Sequence, residues 1–198
     1  MDCDQYAYNR ARLKKAVILP MTHLRNNTLA HMTPPMILDI EASGFGAGSY
    51  PVEIGYVDAA GKVWSAQVQP HADWLHWDKE AEKLHQQSRQ SLEAHGQTAF
   101  EIASHLNRVF ARQTVYTDGW YQDFVWLHAL YEAAGLTPHF KLEDLSLTLS
   151  PEQKALWHDT KQDVRDTMAL QPHRASTDAK ALQLTWLKTA ELTAALTE

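Results

Sequence analysis

Cysteine is nearly absent from this 198-residue chain: Cys3 stands alone, so no internal disulfide can form and a cytosolic setting is the expectation. Long apolar runs are missing too. The longest near the start, Ala16-Val17-Ile18-Leu19-Pro20-Met21, is too short for a signal-peptide core or a membrane span, so a soluble, cytoplasmic protein with no membrane partner is expected. Internal repeats and low-complexity tracts are lacking. So is a basic stripe: net charge is −6, which argues against tight, extended binding of a long duplex. A site that grips one or a few nucleotides is still allowed, because bound metal ions can bring the positive charge there.

What is present suits one globular domain. The chain is 44% hydrophobic, with seven Trp, seven Tyr and five Phe, enough for a packed interior. Residues 1–35 differ from the rest. They carry a net +3 against −9 for the remainder, show no sustained period and close on Thr33-Pro34-Pro35. They read either as a flexible basic arm or as an upstream extension, since Met32 and Met36 are both possible starts; the extension is preferred. Residues 36–198 form the domain. Its oligomeric state is open, a homodimer included.

From Met36 the pattern is strand-rich. Ile37–Glu41 and Val52–Val57 read as strands, and Lys62–Val68 returns after the turn Asp58-Ala59-Ala60-Gly61. Helical spacing follows over Lys79–Leu92, and again at Phe100, Ala103, Leu106, Asn107 and Phe110. Thr114–Thr117 is a short fourth strand. A helix is expected to start directly after Asp123, with Phe124, Leu127, Leu130 and Tyr131 on it, and a fifth strand over Lys141–Leu145. Ser150-Pro151-Glu152 opens another helix. The last runs from about Thr177, with Ala179, Leu182, Trp186 and Ala190 on one face. Three antiparallel strands followed by helix–strand alternation predict an α/β fold with a five-stranded mixed sheet and helices on both faces.

The chemistry-bearing positions begin in the first strand. Side chains alternate along a strand, so Asp39 and Glu41 project from one face while Leu38 and Ile40 take the other. Two like charges side by side are costly unless a cation lies between them. Asp123 follows the fourth strand, where a carboxylate also suits a first helical turn; Asp118 competes for the same role. Pro172-His173-Arg174-Ala175-Ser176-Thr177-Asp178 leads into the last helix. Within one helix His173 and Asp178 would point about 140° apart. Both reach one site if His173 lies in the lead-in loop, with Ser176 and Thr177 available as caps.

This ordered set, Asp39-x-Glu41, then Asp123, then His173-x4-Asp178, resembles the DEDD superfamily of 3′→5′ exonucleases in its His-containing (DEDDh) branch. Ala81 to Leu92 also looks like that family's helix after the third strand. The resemblance implies a ribonuclease-H-like fold and a metal-dependent 3′→5′ exonuclease acting on single-stranded or short nucleic acid and releasing nucleoside 5′-monophosphates. It further implies two divalent ions, Mg²⁺ or Mn²⁺, held by Asp39, Glu41, Asp123 and Asp178. Asp39 would bridge both ions, with Glu41 and Asp178 on the ion that holds the attacking water and Asp123 on the other. His173 would take the water's proton. Backbone amides of Ser43, Gly44 and Phe45 would bind the terminal nucleotide, with the Phe45 ring either wedging it or packing in the core. Tyr50, Trp120 and Tyr121 are candidates for base stacking or for packing.

Two departures leave RNA and DNA both open as substrates. Asp118-Gly119 and Gln122 stand where the family usually has a His-Asn pair and a Phe. The loop after Glu41 is Ala-Ser-Gly-Phe-Gly instead of two threonines and a glycine. Rival readings are a catalytically inactive nucleic-acid-binding module with the same fold, and a metalloenzyme built on His71, His76 and His85, whose spacing matches no trusted zinc pattern.

Overall fold

The computed structural model describes residues 32–168 and 173–195. The first 31 residues of the expected N-terminal extension, and Pro172, lie outside them.

Five strands form one mixed sheet in the order β3-β2-β1-β4-β5. They are β1 (Ile37–Ala42), β2 (Pro51–Val57), β3 (Val63–Gln67), β4 (Thr114–Thr117) and β5 (Lys141–Asp144). β1 to β3 are antiparallel, whereas β4 runs parallel to β1 and β5 parallel to β4. The β2–β3 turn is closed by Asp58, whose carboxylate accepts from the Ala60 and Lys62 amides at 2.9 Å. A register shift between Glu41 and Ala42 ends regular pairing of β1 just past its second carboxylate.

Helices cover both faces. α1 (Lys79–His85), α2 (Arg89–His95), α3 (Ala99–Val109) and α4 (Trp120–Ala134) precede β5; α5 (Pro151–Met168) and α6 (Ala175–Ala194) follow it. Leu38 and Ile40 pack into the larger core with Ile102 and Leu106 of α3, its C-cap Phe110, and Leu127 and Leu130 of α4. Ile37 goes the other way, against Ala179, Leu182 and Trp186 of α6. Alternation along β1 therefore turns Ile37, Asp39 and Glu41 toward the α6 layer.

Three helix boundaries depart from the sequence reading. The single helix expected over Lys79–Leu92 is two. Gln86 takes a left-handed φ of 56° and caps α1, and Ser88 accepts from the Ser91 amide at 3.2 Å to start α2. α4 begins at Trp120, so Asp123 lies inside its first turn instead of ahead of it. α6 begins at Ala175 with Arg174 as N-cap and no side-chain cap; Ser176 and Thr177 are helical. Among the described residues no helix is long and apolar enough to cross a membrane.

Candidate active site

The acidic residues meet at the end of β1, where the N-termini of α4 and α6 arrive from opposite layers of the sheet. Carboxylate oxygens of Asp39, Glu41 and Asp178 lie within 4.8 Å of one another, and this is the one group of three potential metal-ligating side chains among the described residues. They line a cleft of about 300 Å³ with Gly44, Phe45, His85, Asp118, Trp126, Lys161, Arg165 and His173.

Strand alternation supplies Asp39 and Glu41, and the first turn of α6 supplies Asp178. α6 comes close enough because β2 carries Gly55 beneath it: a Cβ there would stand 2.1 Å from the Ser176 amide nitrogen. His173 precedes the helix, as the spacing required. Its φ is +59°, a conformation costly for a residue other than Gly, and its amide donates to Asp178 Oδ2 at 2.8 Å.

Asp123 stands slightly apart. It is 4% exposed, and its carboxylate accepts the Thr117 hydroxyl at the end of β4. Its charge still reaches the group, because after burial it is the largest influence raising the Asp39 pKa, ahead of Glu41 and Asp178. Asp118 is tied to Lys161 at 2.6 Å.

Unit charges at such separations repel by about 3–4 kcal/mol per pair at an effective dielectric near 20. The protein answers in two ways. Burial, then Asp178 and Glu53, push Glu41 up to about 7; burial pushes Asp123 up to about 7 against the opposing Thr117 hydrogen bond. Asp178 instead takes the Arg165 guanidinium at 2.6 Å. Lys161 and Arg165, four residues apart on one face of α5, thus place two cations over the cleft.

The loop over residues 43–50 roofs the site. Ser43 is fully buried, its hydroxyl bonded to His76 Nδ1 at 2.9 Å and accepting from the Tyr50 amide at 3.1 Å. Gly44 has φ +133°, and a Cβ there would meet Asp78 Cβ at 2.6 Å. Phe45 is 75% exposed at the cleft mouth, 5.8 Å from the Trp126 ring, so it is not a core residue. Tyr50 is fully buried and stacks on Trp74. Trp120 and Tyr121 are exposed. The histidines of the zinc alternative go separate ways: His71 is exposed, His76 holds Ser43, and His85 is buried with Nδ1 accepting from the Gln87 amide at 3.1 Å.

Sequence reasoning did not single out Thr117, Trp126, Lys161, Arg165 or the pairing of Glu53 with Arg174. The i, i+4 spacing of Lys161 and Arg165 was visible, but nothing local says which way that face of α5 points.

No protein-family model matches this sequence, and no curated protein does. Solved structures do. Exonuclease I of E. coli in complex with a dT13 oligonucleotide superposes with a TM-score of 0.63 at 12% identity, over 84% of this chain and 43% of that one. The zinc-bound form of the E. coli exonuclease I–single-stranded DNA complex gives 0.60 at 12% identity, over 84% and 41%. A moderately thermophilic exonuclease I from Methylocaldum szegediense gives 0.58 at 16% identity, over 82% and 40%. The chain thus spans less than half the length of these neighbours. At such identities the likeness is one of architecture, and the architecture shared is the ribonuclease-H-like α/β fold, with its five-stranded mixed sheet.

Proposed function

We propose that the protein is a metal-dependent 3′→5′ exonuclease of DEDDh type, acting on single-stranded or short nucleic acid and releasing nucleoside 5′-monophosphates. One observation carries this reading: Asp39, Glu41 and Asp178 converge within 4.8 Å beside His173, on a fold shared with exonuclease I. The neighbours' complexes with single-stranded DNA support the substrate class. The lone cysteine suits a cytoplasmic setting.

The donor set fits hard divalent cations, since every candidate ligand is an oxygen and the carboxylates are under-compensated. Asp39, Glu41, Asp123 and Asp178 would hold two ions, Mg²⁺ or Mn²⁺. When bound, these supply Lewis-acid activation of a water and stabilisation of the leaving 3′-oxygen. His173 receives the water's proton, an imidazole being suited to that near neutral pH. Phe45 stacks on the terminal base, and backbone amides of Ser43, Gly44 and Phe45 hold its sugar. Lys161 and Arg165 turn from Asp118 and Asp178 to substrate phosphate, which keeps both cations in the cleft against the incoming polyanion and frees the Asp178 carboxylate for metal. Incubation with end-labelled RNA and DNA oligomers, with Mn²⁺ or with EDTA, tests this reading and ranks the two substrates.

A further inference from the structure

Glu53 is 1% exposed on β2, directly opposite Glu41, and does not itself line the cleft. Its carboxylate is nevertheless fully engaged. Arg174 donates to it twice, Nε to Oε2 and Nη2 to Oε1, each at 3.0 Å; Gln87 Nε2 adds a third bond to Oε2 at 2.7 Å. The two donors come from the segments that flank the cleft, the end of α1 and the entry to α6.

α6 has no side-chain cap of its own at Arg174. What sets the start of this helix is a planar fork to a residue 121 positions away, together with the close seat of its first residues on Gly55. His173 immediately precedes the fork. Its left-handed backbone is pinned on one side by the bond from its amide to Asp178 and on the other by Arg174. A lysine in place of Arg174 would keep the charge and lose the fork.

Building on the proposed nuclease reading, we infer that Glu53, acting through Arg174, is a positioning residue for His173. The pair fixes the imidazole over the cleft without touching substrate. Gln87 links the same carboxylate to the turn that carries His85, so both walls of the cleft are referenced to one point on the sheet.

The test uses the full-length protein with Arg174→Lys and Glu53→Gln, and His173→Gln as reference. Steady-state cleavage of an end-labelled oligomer in Mn²⁺ is measured beside hydrogen exchange of the His173 amide in metal-free protein. The inference predicts that both variants fold and that kcat falls about 10- to 100-fold with KM within about twofold, as for a misplaced catalytic group. It also predicts that the His173 amide exchanges at least about tenfold faster. A variant whose melting temperature falls while kcat and His173 exchange stay at wild-type values would overturn it, since the fork would then serve stability alone. If the wild-type protein cleaves nothing, the nuclease reading fails, and the exchange arm still decides whether the fork holds His173.

Discussion

Glu41 and Glu53 stand directly opposite each other on β1 and β2, yet they meet opposite fates. Glu53 is enclosed and matched by Arg174 and Gln87. Glu41 opens on the cleft, has no hydrogen-bonded cation among the described residues, and is pushed up to about 7. The fold completes one carboxylate and leaves its neighbour uncompensated. Like charges placed opposite across a sheet destabilise it, so leaving Glu41 without a partner costs the metal-free protein stability.

A pH dependence of stability follows. Glu41 and Asp123 rise from 4.5 and 3.8 to about 7, chiefly through burial, and Asp39 rises for the same reason. Between those limits the folded protein holds protons that the unfolded chain has released, so stability falls as pH rises through that window. In EDTA the melting temperature is expected to be lower at pH 8 than at pH 5, with Mn²⁺ restoring it chiefly at pH 8. A calorimetric series that is flat, or that rises with pH, would contradict the electrostatics described here.

Asp39→Asn removes the carboxylate nearest the centre of the repulsion. Cleavage should be lost, while the metal-free protein should melt a few degrees higher than wild type, about 2–4 °C for each kcal/mol relieved in a chain of this size. Thermal denaturation followed by circular dichroism, beside a cleavage assay, checks both. A variant that still turns over would remove Asp39 from the site.

Much of this arrangement was legible in the sequence. Alternation in Leu38-Asp39-Ile40-Glu41 placed two acids on one face and two apolar side chains on the other, and the core bears this out. The spacing of Ala179, Leu182, Trp186 and Ala190 gave the buried face of α6. What escaped was decided by contacts remote in sequence. The break at Gln86 has no Gly or Pro to announce it. α6 starts from its N-cap Arg174, which is paired with Glu53 and followed by residues seated on Gly55, and not at the serine and threonine that looked like caps. Whether Lys161 and Arg165 face solvent or carboxylates depends on how α5 packs.

Asp118 and Asp123 are separable by experiment. Asp123 is buried in the first turn of α4, and Asp39 feels its charge; Asp118 is exposed and paired with Lys161. Asp123→Asn should cost several orders of magnitude in single-turnover rate. Asp118→Asn should cost less than about tenfold, as expected for a surface ion pair. The reverse ranking would put Asp118 in the place proposed for Asp123.

Phe45→Ala should leave the melting temperature nearly unchanged, because the ring is 75% exposed. It should raise KM for an oligonucleotide by about tenfold, in line with roughly 1–3 kcal/mol for one base–aromatic stack. An unchanged KM would assign the ring no role in holding the terminal nucleotide.

The most direct measurement is a time course on a single-stranded oligomer labelled at its 5′ end, run with Mn²⁺, with excess EDTA, and with a 3′-phosphorylated version of the same strand. The expected result is a ladder shortening from the 3′ end in single-nucleotide steps in Mn²⁺, no cleavage in EDTA, and a stalled reaction on the blocked end. A ladder that persists in EDTA, or internal cuts that ignore the 3′ block, would contradict it.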